Sequence, residues 1–92
     1  MAQVTDNIDK QRFELAGSDG IVAAVYYRLE NDLVVLIHTE VPFAVSGQGF
    51  GTALAQGVFA LLRETGRRAS VRCDFMGRFV ARHPEVRDVL AR

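Results

Sequence analysis

The chain has 92 residues, of which 49% are hydrophobic and 24% charged, and its 11 basic side chains balance its 11 acidic ones. This length suits one core, so we predict that residues 1–92 form a single domain. No apolar run reaches the ~20 residues of a membrane span and no signal peptide is visible, so we expect a cytoplasmic protein without membrane contact. Because there is only one cysteine, an internal disulfide and a cysteine-based metal cluster are excluded, and no metal is predicted.

The zero net charge hides an asymmetry along the chain. Residues 1–62 carry three basic and seven acidic side chains, whereas residues 63–92 carry eight arginines and four acids. A basic region of this kind could bind nucleic acid, but its arginines are interleaved with acids and lack the aromatic pattern of a nucleic-acid platform. We therefore expect no nucleic-acid partner, although a nucleic-acid-binding domain stays open as an alternative. A phosphorylated small ligand fits the charge equally well.

The first half of the chain has the pattern of antiparallel strands. Residues 1–10 are mostly polar and are predicted to form a flexible lead-in. Residues 12–15 and 21–30, joined by a turn at 18–20, predict a hairpin whose odd positions from Ile21 to Leu29 face the core. Asn31 and Asp32 then predict a tight turn, and residues 33–41 a third strand.

The second half has the pattern of a parallel crossover. Apolar residues at helical spacing predict a helix over 49–65, closed by Gly66, and a short strand over 69–73 that lies parallel to strand 33–41. Residues 75–82 predict a second helix and residues 84–90 a last helical turn. The expected fold is α/β (α+β), with a mostly antiparallel sheet, one parallel strand pair and helices on both faces.

Residues 46–51 form a glycine-rich turn between a strand and a helix. Such a turn gathers backbone N–H groups and the positive end of a helix dipole, which suits an anion such as a pyrophosphate. Glycines at 49 and 51 would let the phosphate approach the backbone closely. Because ligands bind beyond the carboxyl ends of parallel strands, we expect His38, Glu40 and Cys73 to converge on this turn.

Four pieces of this sequence together resemble a known family. They are His-Thr-Glu-Val-Pro at 38–42, the Gly-x-Gly-x-Gly turn, Cys73 after the next strand, and Arg-His-Pro-Glu at 82–85. Over about residues 13–90 the chain is similar to the short, single-domain members of the GNAT N-acetyltransferase superfamily. The turn signature of that superfamily is Gln/Arg-x-x-Gly-x-Gly/Ala. Gly49 and Gly51 match it, and Ser46 replaces the Gln/Arg.

The resemblance implies acetyl-CoA as cosubstrate and an amine, on a small molecule or a protein, as acetyl acceptor. It places the pyrophosphate on the amides of residues 48–52 and the pantetheine arm on the backbone of residues 40–43. The implied coenzyme-binding residues are Glu40, Val41, Phe43, Ser46, Gly47, Gln48, Gly49, Phe50, Gly51, Thr52 and Cys73. The oligomeric state is not indicated.

Acetyl transfer needs a base for the amine and a proton for the leaving thiolate. Glu40, directly or through water, and His38 are the candidate bases. Cys73 is either a group at the thioester or a small buried hydrophobe. Phe79 occupies a position that is commonly Tyr in relatives, so direct thiolate departure, use of Cys73, and no catalysis at all remain open. A module that holds acetyl-CoA or coenzyme A without turnover is the main alternative to an enzyme.

Overall fold

The computed structural model describes residues 3–17, 20–45 and 49–91. Within them the chain order of the elements is β1 (Thr5–Asn7), β2 (Arg12–Ala16), β3 (Val22–Glu30), β4 (Leu33–Glu40), a 3₁₀ helix (Phe43–Val45), α1 (Phe50–Glu64), β5 (Arg68–Val71), α2 (Asp74–Arg82) and a last 3₁₀ helix (Pro84–Val89). This order agrees with the sequence-based elements, apart from β1 and the 3₁₀ helix after β4, which were not predicted.

The five strands form one sheet in the order β1-β2-β3-β4-β5. The first four strands pair antiparallel, and β4 and β5 pair in parallel, with Val34 opposite Ala69. The mostly antiparallel sheet with one parallel pair across α1 is therefore confirmed. The candidate site depends on this adjacency, because it brings the carboxyl ends of β4 and β5 together.

Two of the predicted chain reversals have the backbone conformation that the sequence indicates. Asn31 lies at φ 57°, the left-handed region that asparagine tolerates, and joins β3 to β4. Gly66, at φ 69°, follows α1, and the Arg67 amide donates to the Leu62 carbonyl at 2.9 Å. A left-handed glycine with such a bond is a common way to end a helix.

The lead-in to the chain differs from the expectation, because Thr5–Asn7 pair with β2 as an edge strand. The Tyr27 hydroxyl donates to an Asp6 carboxylate oxygen at 2.7 Å, and Arg67 reaches the other oxygen at 3.2 Å. Val4 packs against α1 at Gly57, where an added Cβ would lie 2.2 Å from a Val4 methyl. These long-range contacts hold a segment whose polar composition alone suggested flexibility.

A single core cluster joins one side of the sheet to both long helices. The rings of Phe59 in α1 and Phe79 in α2 stack with centroids 5.8 Å apart, and both belong to this cluster. This contact and the shared core join α1 and α2 to each other as well as to the sheet. The odd positions of β3 mostly face that core, although Leu29 at its end is 50% exposed.

The buried Tyr27 gives stability a pH dependence. Burial, assisted by the Asp6 carboxylate, raises the pKa of Tyr27 from 10.0 to about 12. Because the pKa is higher in the folded state, the protonated Tyr27 hydroxyl stabilises the fold fully below pH 10. This stabilisation is lost as the pH rises towards 12. We expect the free energy of unfolding to fall by about 2–3 kcal/mol more over this window in wild type than in Tyr27→Phe, measured by urea denaturation. Equal losses in both proteins would contradict this account of Tyr27.

Candidate functional site

The parallel strands β4 and β5 separate before β4 ends. Their last paired residues are Leu36 and Val71, and the Arg72 amide still donates to the Leu36 carbonyl at 2.8 Å. β4 then continues to Glu40, paired with β3 alone among the described strands. One edge of residues 37–40 therefore lacks a strand neighbour within the described part of the chain. Backbone groups on such an edge are available to an extended ligand.

A β-bulge in β4 lies at the point of separation. Tyr27 is opposite Leu36 and Tyr26 is opposite His38, which leaves Ile37 as an extra residue. A bulge bends its strand and increases the local twist. We attribute the divergence of β4 from β5 to this bend. The sequence pattern of β4 gave no sign of it, because β-branched and aliphatic residues continue through the bulge.

Helix α1 begins close to this end of β4 in the chain, and its first turn is suited to an anion. Gly49 precedes the helix at φ 74°, and among the described residues no side chain caps the helix start and no acid lies in its first turn. The first backbone N–H groups of a helix have no partner within it, and the helix dipole adds positive potential there. A Cβ on Gly49 would meet nothing within 4 Å, so this position faces open space. Ser46, Gly47 and Gln48 lie outside the described residues.

Gly51 and Phe50 have packing roles in addition to any contact with a ligand. A Cβ on Gly51 would lie 2.6 Å from the ring of Phe75, so this glycine lets α1 and α2 approach each other. The Phe50 ring lies 3.1 Å from the place of a Cβ on Gly17 and packs against the core. The absence of a side chain at 51 is thus explained by packing, whereas at 49 it is explained by the left-handed backbone.

Cys73 lies at the separated end of β5, where it immediately precedes α2. Its Sγ is 3.3 Å from the hydroxyl oxygen of Thr39 on β4, and the cysteine is half-buried. The contact joins the two diverging strands at their ends. It also places a thiol beside the edge of β4 that has no strand neighbour among the described residues. Thr39 was not singled out from the sequence.

His38 and Glu40 lie on the other side of β4. The His38 ring nitrogen is 3.3 Å from a Glu40 carboxylate oxygen, and both side chains are more than half exposed. Tyr26, opposite His38 in the sheet, donates from its hydroxyl to Glu40 at 3.4 Å and accepts from Arg12 at 2.8 Å. Alternation along β4 points Thr39 to the opposite side, towards the core face. The expected convergence of His38, Glu40 and Cys73 is therefore only around the strand end, not on one face.

Arg12 anchors this polar network. The hydrogen bond to Tyr26, and then that to Glu14, raise the pKa of Arg12. Burial raises the pKa of Glu14, but hydrogen bonds from Arg12 and Asn7 outweigh it, so the net pKa is lowered. The sequence reasoning missed Arg12 and Tyr26. Their alternation with buried Phe13 and Tyr27 was the available signal that they share the face of His38 and Glu40.

The sequence matches one protein family over most of its length. The sequence model of GCN5-related N-acetyl-transferases matches residues 12–89 of the chain. The chain belongs to the GCN5-related N-acetyltransferase family. A solution NMR structure of a GCN5-like protein from Staphylococcus aureus has 22% sequence identity and a TM-score of 0.71, covering 97% of this chain and 87% of that chain. At that identity the likeness shows a shared fold. None of the curated proteins matches the sequence significantly.

This member of the GCN5-related family has no phenol at residue 79. Phe79 is buried, and its ring lies between Phe59 at 5.8 Å and His83 at 4.1 Å. His83 also pairs with Glu85 at 3.0 Å. A general acid for the thiolate, if the chain uses one, must therefore come from another residue.

Three further findings bear on what this GCN5-related protein could contact. In residues 3–17, 20–45 and 49–91, no three His, Cys, Asp or Glu side chains are grouped so that they could hold a metal ion. Within the same ranges, no helix combines the length and the apolar character needed to cross a membrane. Phe43, in the 3₁₀ helix after β4, is 93% exposed and stands next to the expected pantetheine path.

Proposed function

We propose that the chain is an N-acetyltransferase that binds acetyl-CoA between the separated ends of β4 and β5. The observation that carries this proposal is the loss of β4–β5 pairing after Leu36, next to Cys73 and to the uncapped start of α1. An unpaired strand edge suits an amide-containing arm, and a helix N-terminus suits a pyrophosphate. Family membership supports the same ligand class.

Acetyl-CoA would occupy three consecutive subsites. Its pyrophosphate would accept hydrogen bonds from the amides of residues 48–52, and Ser46 and Gly47 would complete that turn. Its pantetheine amides would pair with the backbone of Glu40, Val41 and Phe43. The thioester would then lie near Cys73 and Thr39, whose side chains meet at the strand ends.

The acceptor in this proposal is an amine that attacks the thioester carbonyl. The amine must lose a proton, and Glu40, directly or through water, is the proposed base, with His38 as its hydrogen-bonded neighbour. The acetyl C–S bond breaks as the new C–N bond forms, and the coenzyme thiolate takes up a proton from solvent or from the Cys73 thiol. In a two-step version Cys73 accepts the acetyl group first and passes it to the amine.

A module that binds acetyl-CoA without turnover is the second candidate, and Phe79 is the observation that favours it. Its buried ring offers no hydroxyl that could protonate the thiolate. The two candidates share one binding site and differ only in chemistry. Release of free coenzyme A in the presence of a panel of amines would separate them, because a binding module would release none.

Alkylation of Cys73 tests the location of the thioester. With iodoacetamide we expect acetyl-CoA to slow the reaction of the Cys73 thiol about tenfold or more, because a bound thioester would cover the Sγ atom. Desulfo-coenzyme A lacks the sulfur and cannot acetylate Cys73, but it should bind the same subsites. If it also slows the alkylation, the protection comes from covering the thiol and not from acetylating it. Mass spectrometry of the intact protein gives both the rate and any acetyl adduct.

The Cys73→Ala variant distinguishes the possible roles of the thiol. If Cys73 lines the coenzyme site, the variant should stay folded and transfer acetyl more slowly. If Cys73 is only a half-buried hydrophobe, the variant should lose ~1 kcal/mol of stability and keep its coenzyme affinity. A thiol that reacts quickly and equally with and without acetyl-CoA would refute the proposed position of the thioester.

A further inference from the structure

A second cleft opens beside Cys73, between the end of β5 and α2. It has a volume of about 640 Å³ and is lined by Val71, Arg72, Cys73, Asp74, Gly77, Arg78 and Ala81. Its apolar part comes from Val71 and the small residues of α2, and its rim carries two guanidinium groups. Cys73 also contacts Thr39 at the separated strand ends, so the cleft leads to the proposed acetyl site.

In the described part of the chain, the side chains of the cleft arginines have no partner, whereas every arginine outside α2 and this cleft except Arg87 has one. Arg12, Arg28, Arg63 and Arg67 all form ion pairs with carboxylates. Within the described residues, no hydrogen bond or ion pair engages the side chains of Arg72, Arg78 or Arg82, and Arg82 follows Arg78 by one helical turn. Asp74 is the single acid that lines the cleft. The rim therefore carries a local excess of positive charge that the fold itself does not use.

Gly77 in the middle of α2 keeps the cleft open without a packing reason. Glycine inside a helix costs about 0.5–1 kcal/mol relative to alanine. The two interior glycines of α1 are explained by contacts, since added Cβ atoms at Gly51 and Gly57 would collide with Phe75 and Val4. At Gly77 a Cβ would meet nothing within 4 Å. A side chain at residue 77 would project only into the cleft, and the glycine leaves that space empty.

We propose that this cleft binds an acidic peptide segment that belongs to the acetyl acceptor. Carboxylates of the segment pair with Arg72 and Arg78, its backbone lies over Gly77 and Ala81, and its amine reaches the thioester at the Cys73 end. Guanidinium groups recognise carboxylates through paired, charge-assisted hydrogen bonds, which gives specificity as well as attraction. That the bound segment is acetylated rests on the proposed function, whereas its binding does not.

Charge and composition favour an acidic peptide over a nucleic acid. Surfaces on which bases stack combine cations with exposed aromatic rings. The residues that line this cleft include no aromatic residue. A backbone of closely spaced phosphates would also lie near Asp74. The proposed function places the pyrophosphate of coenzyme A at the turn before α1 and not in this cleft. An acidic peptide uses both the arginines and the apolar part of the cleft.

Binding of hexaglutamate with a C-terminal fluorophore, followed by fluorescence anisotropy, tests the proposal. The wild type should bind hexaglutamate better than hexaglutamine, and added salt should weaken the binding. The double variant Arg72→Gln/Arg78→Gln should bind about tenfold or more weakly. Arg87→Gln is the matched control, because Arg87 is exposed, has no partner within the described residues and does not line the cleft.

A charge-neutral variant tests the shape of the cleft separately. Gly77→Leu fills the space, meets no neighbour at its Cβ and improves helix propensity, so it should stay folded and bind hexaglutamate about tenfold more weakly. Unchanged binding in this variant and in the double arginine variant would overturn the proposal. Tighter binding of single-stranded oligothymidylate than of hexaglutamate would assign the surface to nucleic acid instead.

The melting-temperature shift with acetyl-CoA, measured on the same proteins, separates this inference from the proposed function. Loss of that shift in the double arginine variant would show that the arginines serve the coenzyme, which overturns the acidic-peptide site. If the wild type bound hexaglutamate but not acetyl-CoA, the peptide site would stand and the proposed function would fail.

Discussion

Phe59→Ala should lower the free energy of unfolding by about 3–5 kcal/mol, the range for removing a buried aromatic side chain. Phe59 is 1% exposed, lies in the middle of α1 and stacks on Phe79. It therefore joins α2 to the sheet as well as filling the core. A domain of this size has a total stability of only about 5–14 kcal/mol, so the variant should lose a large part of it.

Thermal and urea denaturation would measure this effect, with an expected fall in melting temperature of about 12–40 °C. Ile8→Ala is the control, because it also shortens a large hydrophobic side chain but one that is 72% exposed. It should change stability by less than about 0.5 kcal/mol. Comparable losses in both variants would contradict the packing of α1 and α2 as one core layer. If Phe59→Ala loses its helical circular dichroism at a lower urea concentration than the wild type, the result supports this packing.

Gly49→Ala should weaken the binding of acetyl-CoA by about tenfold to a hundredfold, the equivalent of one charge-assisted hydrogen bond. Its Cβ would project from the left-handed residue that opens α1 into the space where the pyrophosphate is proposed to lie. Isothermal titration calorimetry would give the affinity. Denaturation of the same variant would give the cost of the left-handed alanine, about 1–2 kcal/mol.

Gly66→Ala is a closely matched control for this experiment. Gly66 also lies in the left-handed region, at φ 69° against 74° for Gly49, and a Cβ there also meets nothing within 4 Å. The two substitutions should therefore cost similar stability, while only Gly49→Ala loses coenzyme affinity. Equal affinities in the two variants would mean that the pyrophosphate does not lie at the start of α1. Gly51 is unsuitable for this comparison, because its substitution would displace Phe75.

Much of the fold follows from patterns that are local in the sequence. The spacing of apolar residues in α1 and the turn residues Asn31 and Gly66 predicted elements that the structure contains. The parallel β4–β5 pair followed from the general handedness of crossovers. In contrast, β1 depends on partners distant in the chain, Tyr27 and Arg67, so its polar sequence suggested a flexible segment.

The candidate site was harder to predict because two of its features depend on strand register. The bulge at Ile37 is defined by how Tyr26 and Tyr27 pair across β3 and β4, which no single strand sequence specifies. The same register creates the network that links Arg12 to Glu40 through the Tyr26 hydroxyl. Sequence reasoning named Glu40, His38 and Cys73, but it could not place them on different sides of β4.

A titration of the ¹⁵N-labelled protein with acetyl-CoA, followed by amide chemical shifts, tests the central claim most directly. The account predicts that the largest shifts occur at residues 37–43, at residues 49–52 and at Cys73, because these groups border the gap between β4 and β5. The turn between β3 and β4, with Asn31 and Asp32, should not shift. If the shifts are concentrated at that turn and the amides at the start of α1 do not shift, acetyl-CoA does not bind between the ends of β4 and β5.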